Sequence, residues 1–235
     1  MTLEEAIAKI KPLDHNAMEI AQKRWDSIAK PLHSLGKLET LLIQIAGITG
    51  NAEVDLSRRG LIAMCADNGV VEEGVTQTGQ EVTAIVAENF LKYDTSVGVM
   101  CKQNHAEIFP VDMGMVTDTK VRTDHKIAYG TQNMTKGPAM TREQAVKGLE
   151  AGIDMVRELN DKGYRILATG EMGIGNTTTS SAVASVLLKQ PVEEMTGRGA
   201  GLTSEGLVRK INAIKKAIAV AGEEYGFIGC VIIVL

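Results

Sequence analysis

Tyr164-Arg165-Ile166-Leu167-Ala168-Thr169-Gly170-Glu171-Met172-Gly173-Ile174-Gly175-Asn176-Thr177-Thr178-Thr179-Ser180 is the stretch that decides the fold of this chain. Residues 164–169 read as a strand, 170–176 as a glycine-rich loop, and 177–188 as an apolar helix. Strand, tight loop and helix in that order form one βα unit, and the flanking sequence supplies more of them. Upstream, Gly60-Leu61-Ile62-Ala63-Met64-Cys65-Ala66 is apolar without interruption and stops at Asp67-Asn68-Gly69. A short run with no polar alternation is what a strand buried on both faces requires, as in a parallel sheet covered by helices. Ala106 to Gly114 reads as another strand with Asp112 near its end. Between these strands the period changes to that of helices. Glu81 to Leu91 carries Val82, Ile85, Val86 and Phe90 on one face, and Thr141 to Leu159 opens on the capping-box pattern Thr141-Arg142-Glu143-Gln144. Downstream, the glycine loop Gly197-Arg198-Gly199-Ala200-Gly201-Leu202 feeds a helix from Thr203 to Ala221.

The predicted architecture is therefore α/β: a Rossmann-like, mostly parallel sheet flanked by helices, with a small helical N-terminal subdomain. Residues 1–50 form the helical segment, with loose helical spacing over Thr2–Arg24 and a second amphipathic run from Leu38 that ends before Gly50. Residues 51–235 form the nucleotide-binding domain. No internal repeat interrupts this reading.

Bulk properties narrow the function. The 235 residues are 44% hydrophobic but only 3% aromatic, so the core must be built from aliphatic side chains and the 11 methionines. A formal net charge of -4 with scattered Lys and Arg leaves no basic footprint for nucleic acid. Cys65, Cys101 and Cys230 are widely spaced and suggest no disulfide framework. His15, His33, His105 and His125 stand apart, so neither a metal nor another cofactor is expected. The first residues lack a basic region followed by an apolar stretch, and Phe227–Leu235 is too short to span a bilayer. These features predict a cytoplasmic protein with no membrane partner.

In a parallel sheet of this kind ligands bind beyond the carboxyl ends of the strands, which is where Asp67, Asp112 and Glu171 fall. The loop at 170–176 precedes a helix start rich in hydroxyls, with Thr177 and Thr178, so Gly173, Gly175 and Asn176 can cradle a phosphate or ribose. It lacks the lysine of a Walker loop and the spacing of a dinucleotide fingerprint, and a plain capped turn is the competing reading. Lys210, early in the helix that follows Gly199, either neutralises a phosphate or belongs to a solvated face with Lys215 and Lys216. In the polar loop after Asp67, Gln77 and Gln80 either hydrogen-bond a heterocycle or complete an ordinary capped loop, while Asp67 can orient it. Asp67, Glu72, Asp112 and Glu171 are the acid/base candidates, and Met172 is filler of core or pocket.

Taken in order, several of these stretches resemble the nicotinate-nucleotide–dimethylbenzimidazole phosphoribosyltransferase family. They are Leu32-His33-Ser34-Leu35-Gly36-Lys37-Leu38-Glu39, Ala66-Asp67-Asn68-Gly69-Val70 through Gln80-Glu81-Val82-Thr83, Val111-Asp112-Met113-Gly114, Gly170 to Thr178, and Gly197 to Leu202 leading to Lys210. The resemblance runs to about Ala219. It implies transfer of phosphoribose from nicotinate mononucleotide to dimethylbenzimidazole or a related base, giving α-ribazole 5′-phosphate for the lower ligand of cobalamin. It also implies a homodimer. The 5′-phosphate is expected near Gly173, Gly175-Asn176-Thr177 and Lys210, and the base near the 67–80 loop, with Gln80 as a contact and Glu171 as a pocket carboxylate. Two departures lie in the loops: Asn68 where the family has His, and Gly79 where it has Pro. A third lies past Ala221, where Gly226 to Leu235 is unlike the family and reads as a truncation or frameshift without the family's general-base glutamate. A module that binds nicotinate mononucleotide or a benzimidazole without turnover is the alternative expectation.

Overall fold

A computed structural model of the chain describes residues 1–221. The apolar run Gly226 to Leu235, with Cys230, lies outside the described residues. The chain divides into two compact units, Thr2–Arg58 and a larger one that begins at Arg59.

The smaller unit is helical: α1 (Leu3–Ala8), α2 (His15–Asp26) and α3 (Lys37–Thr49). Thr2 and Glu5 form a capping box on α1, and the Asp14 side chain accepts from Ala17 N–H to start α2. The buried faces of α2 and α3 are small, Ala17 and Ala21 against Ala46 and Gly47. A Cβ on Gly47 would lie 2.7 Å from the Met18 side chain, so the close approach of these helices depends on glycine there.

The larger unit is built on β1 (Arg59–Ala66), β2 (Ala106–Gly114) and β3 (Ile166–Met172), all parallel and ordered β2-β1-β3. Helices α4 (Glu81–Lys92) and α5 (Ser96–Gln103) connect β1 to β2, and α6 (Arg142–Asp161) precedes β3. After β3 come α7 (Asn176–Leu188), the short α8 (Val192–Met195) and α9 (Ser204–Ala221). The alternation of the central strand explains its unbroken apolar sequence. Ile62, with Met64 and Ala66, packs on α6 through Met155 and Leu159. Ala63 and Cys65, with Leu61, pack on the other face against Ala87 and Phe90 of α4. Both faces are covered, as a parallel sheet requires.

The chain leaves β1 for β2 on one side and later returns to β3 on the other. The connectivity therefore reverses beside β1, which is where such sheets open a crevice at their carboxyl end. One sequence expectation needs correction. Gly170, Glu171 and Met172 belong to β3 rather than to a loop, because pairing with β1 continues to Met64↔Glu171 and Cys65↔Met172. The turn into α7 is only Gly173-Ile174-Gly175, with Gly175 at φ 95°.

Candidate active site

The strand ends are fastened together by backbone and amide groups. Asp67 N–H donates to Gly114 O at 3.0 Å, and Thr131 N–H donates to Asp67 O at 3.0 Å. Asn68 bridges β1 to the β3–α7 turn: its Nδ2 donates to Ile174 O at 3.2 Å, and the Thr179 hydroxyl donates to its Oδ1 at 3.4 Å. A Cβ on Gly173 would stand 2.2 Å from Ala66 O, so only glycine lets β3 turn this close to β1.

Above this floor lies a cavity of about 440 Å³. Its walls come from β1, β2, β3, α6, α7 and the connection before α6. Met64 and Ala66 lie on β1 with Asn68 just beyond it, and Met113 and Gly114 end β2. Ile127, Ala128, Gly130, Thr131, Gln132, Ala139 and Met140 come from the long connection before α6, and α6 adds Gln144, Gly148, Leu149 and Gly152. Glu171, Met172, Gly173, Asn176 and Ser180 close the side toward α7. Most of this lining is apolar, while Glu171 and Asn176 form a polar corner in which Asn176 Nδ2 donates to Glu171 Oε2. Such a volume and such a balance suit a flat heterocycle held by contact and oriented by a few polar groups.

Beside that corner is a cation. Lys210 is only 1% exposed, on the inward stripe of α9 with Gly206, Ala213, Ile214 and Ala217. Its Nζ donates to the Thr177 hydroxyl at 2.7 Å and to Gly197 O at 3.1 Å. No carboxylate among the described residues pairs with it. Burial pushes its pKa down, with no opposite charge to restore it. Gly199 has φ 56°, and a Cβ there would come within 2.8 Å of the Thr177 hydroxyl and 3.4 Å of Lys210 Nζ. Gly199 thus keeps the loop before α9 close to one ammonium at the first turn of α7, an arrangement that suits an anion.

The other residues singled out in the sequence have supporting places. Asp67 is fully buried, and its Oδ2 accepts from Val116 N–H at 2.8 Å. Burial raises its pKa, opposed by the nearby Thr83 hydroxyl and the Val116 N–H, although Oδ1 has no hydrogen bond of normal geometry. Asp112 is fully buried too, accepting from Met115 N–H at 2.8 Å and facing Lys126 Nζ at 3.1 Å. Gln80 Nε2 donates to Asn68 O at 3.1 Å, and Gln77 Nε2 donates to Gly201 O, so each amide ties one loop to another. Thr178 is buried with its hydroxyl unpartnered. Sequence reasoning misses Gln132, Gln144 and the α6 glycines as lining. Their stretch carries no periodic signal before α6, and only folding brings it over the sheet. Among the described residues no group of three His, Cys, Asp or Glu side chains is placed to hold a metal ion, and no helix is long and apolar enough to cross a membrane.

Comparison with known proteins follows the same loops. The chain is 51% identical over 220 residues to the nicotinate-nucleotide–dimethylbenzimidazole phosphoribosyltransferase of Ruminiclostridium cellulolyticum, covering 93% of this chain and 62% of that protein. The enzyme of the same name from Clostridium tetani is 46% identical over 220 residues, with 93% and 61% covered. This chain thus spans about 62% of the length of those relatives. The crystal structure of CobT from Thermus thermophilus superposes with a TM-score of 0.84 at 35% identity, over 93% of this chain and 67% of that one. Residues 10–228 match a family model described as Phosphoribosyltransferase. That match takes in the strand ends, both glycine loops and Lys210, and by it this chain belongs to the phosphoribosyltransferase family.

Proposed function

We propose that the chain transfers phosphoribose from nicotinate mononucleotide to 5,6-dimethylbenzimidazole or a related base, releasing nicotinate and forming α-ribazole 5′-phosphate for cobalamin synthesis. The single observation that carries this is a buried lysine with no carboxylate partner, set at a helix start beside an apolar cavity. The 5′-phosphate takes the space around Lys210, Thr177 and Gly199, with the Gly173–Asn176 turn below it. Anchoring that end fixes the ribose, and a ring enters the cavity through the corner of Glu171 and Asn176. The lone pair of an acceptor ring nitrogen then forms a bond to C1′ as the bond from C1′ to the nicotinate nitrogen breaks and its electrons leave with nicotinate; the proton on the other ring nitrogen is then released to water. One displacement inverts the centre, from β to α. The Glu171 carboxylate, oriented by Asn176, stabilises positive charge growing on the ribose. Asp67, Asp112, Gln77 and Gln80 shape the loops around the substrates on this reading. No cofactor takes part. The reading includes a homodimer in the cytoplasm.

The test is incubation of this chain with nicotinate mononucleotide and dimethylbenzimidazole, with chromatography of the products. Nicotinate and α-ribazole 5′-phosphate in equal amounts are expected. A folded chain that binds the nucleotide but releases no nicotinate is a binding module without turnover. A folded chain that binds neither substrate overturns the assignment.

A further inference from the structure

Helix α6 is built in two halves. Its inward stripe is small at Ala145, Gly148 and Ala151 and large at Met155 and Leu159. Met155 and Leu159 pack with Ile62 and Tyr164, so the C-terminal half rests directly on the sheet. Over the N-terminal half the cavity separates helix from sheet, with Gly148 and Gly152 on the helix side, one turn apart and on one face. Neither backbone nor packing explains Gly152. It has no positive φ, and a Cβ built on it would meet nothing within 4 Å. Gly173 is the opposite case, blocked by Ala66 O. Glycine inside a helix is less favourable than alanine, because it orders a freer backbone. The open space at Gly152 is therefore accounted for by what enters the cavity.

We propose that Gly152, with Gly148 beside it, is a specificity-determining position for the acceptor base. The missing side chain sets the depth of the cavity and leaves room for substituents on the benzenoid edge of a benzimidazole, remote from the attacking nitrogen. Met64 and Met113 supply apolar lining on the sheet side, so the space admits methyl groups. The proposal rests on the reading of this cavity as the base site.

Calorimetric titration of the chain with dimethylbenzimidazole and with unsubstituted benzimidazole tests it directly. Gly152→Ala is expected to weaken dimethylbenzimidazole about tenfold while benzimidazole stays within about twofold, since one methyl group too many is felt only by the larger ring. The same variant should melt about 2 °C higher, because alanine suits a helix interior better. A wild-type chain that binds neither base removes the base-site reading, and the proposal falls with it. A wild type that binds both, with a variant that shifts both equally or neither, overturns the proposal alone. Should Gly152→Ala fail to fold, Gly152→Ser is titrated in its place. Unfolding of both variants would mean that the position is packed, which also overturns the proposal.

Discussion

Lys126 and Lys210 are both withdrawn from water, yet they are handled in opposite ways. Lys126 reaches Asp112 at 3.1 Å and Asp118 at 3.3 Å, and its Nζ lies 3.8 Å from the centre of the Tyr129 ring. Its charge is answered by the protein, and the pair fastens the end of β2 to the segment that walls the cavity. Lys210 has a hydroxyl and a carbonyl for company and no carboxylate among the described residues. Burying a charge without a counter-charge is costly, and removing one partner of a buried pair is costly in the same way. On the proposed function, the lysine that the fold leaves incomplete is the one that receives the anion. The difference separates structure from function among residues that look alike in the sequence.

Substitution at Lys210 should have the largest effect, and it should fall on binding rather than folding. Lys210→Met keeps most of the side-chain volume and removes the charge. Affinity for nicotinate mononucleotide, read by calorimetry, is expected to fall about 100-fold or more, as when one partner of a buried charge pair is truncated. The urea midpoint of the unliganded chain should stay level or rise, because an uncompensated buried charge is gone. A large loss of stability with affinity intact would break the comparison. At the other lysine the outcome reverses. Asp112→Ala leaves Lys126 with only the exposed Asp118 and leaves the Met115 N–H unpaired, and should cost about 3 kcal/mol in urea denaturation. Nucleotide affinity of the still-folded fraction should fall far less than in Lys210→Met.

Part of this contrast is legible in the sequence. The unbroken apolar run at Gly60–Ala66 and the mixed stretch Ala106–Gly114 give strands with nearly the same limits, the first because a strand covered on both faces needs no polar alternation. The capping box at Thr141 likewise marks the start of α6. The end of β3 is harder to see. Gly170 and Glu171 look like loop residues, and only pairing with β1 keeps them extended. Helix α5 is short and carries Val97, Gly98 and Val99, none of them strong helix formers, so packing rather than propensity fixes it. The sequence reading leaves Lys210 unresolved against Lys215 and Lys216, and the fold separates them. Lys210 shares a helical stripe with Gly206, Ala213, Ile214 and Ala217, and the other two do not. The roles of Gln77 and Gln80 are beyond reach, since their partners are backbone carbonyls at Gly201 and Asn68 whose positions only the folded loops define.

The smallest effect is also the most specific, because the two lysines should tilt stability with pH in opposite directions. Burial alone lowers the pKa of Lys210 below the ordinary lysine value of 10.5. Between that lowered pKa and the ordinary value the unfolded chain binds more protons, so stability should rise as pH rises. For Lys126 burial pulls downward, but the hydrogen bonds to Asp112 and Asp118 and the charge of Asp112 outweigh it, and its pKa is raised above 10.5. Its contribution is fully present below the ordinary lysine value and is lost as pH climbs through the raised one. Urea midpoints collected in steps across the alkaline range should therefore rise and then fall. Lys210→Met should remove the rise and keep the fall, whereas Lys126→Met should do the reverse. Saturating phosphate should flatten the rise in the wild type, because an anion beside Lys210 restores its pKa and gives that charge the partner which Asp112 already gives to Lys126.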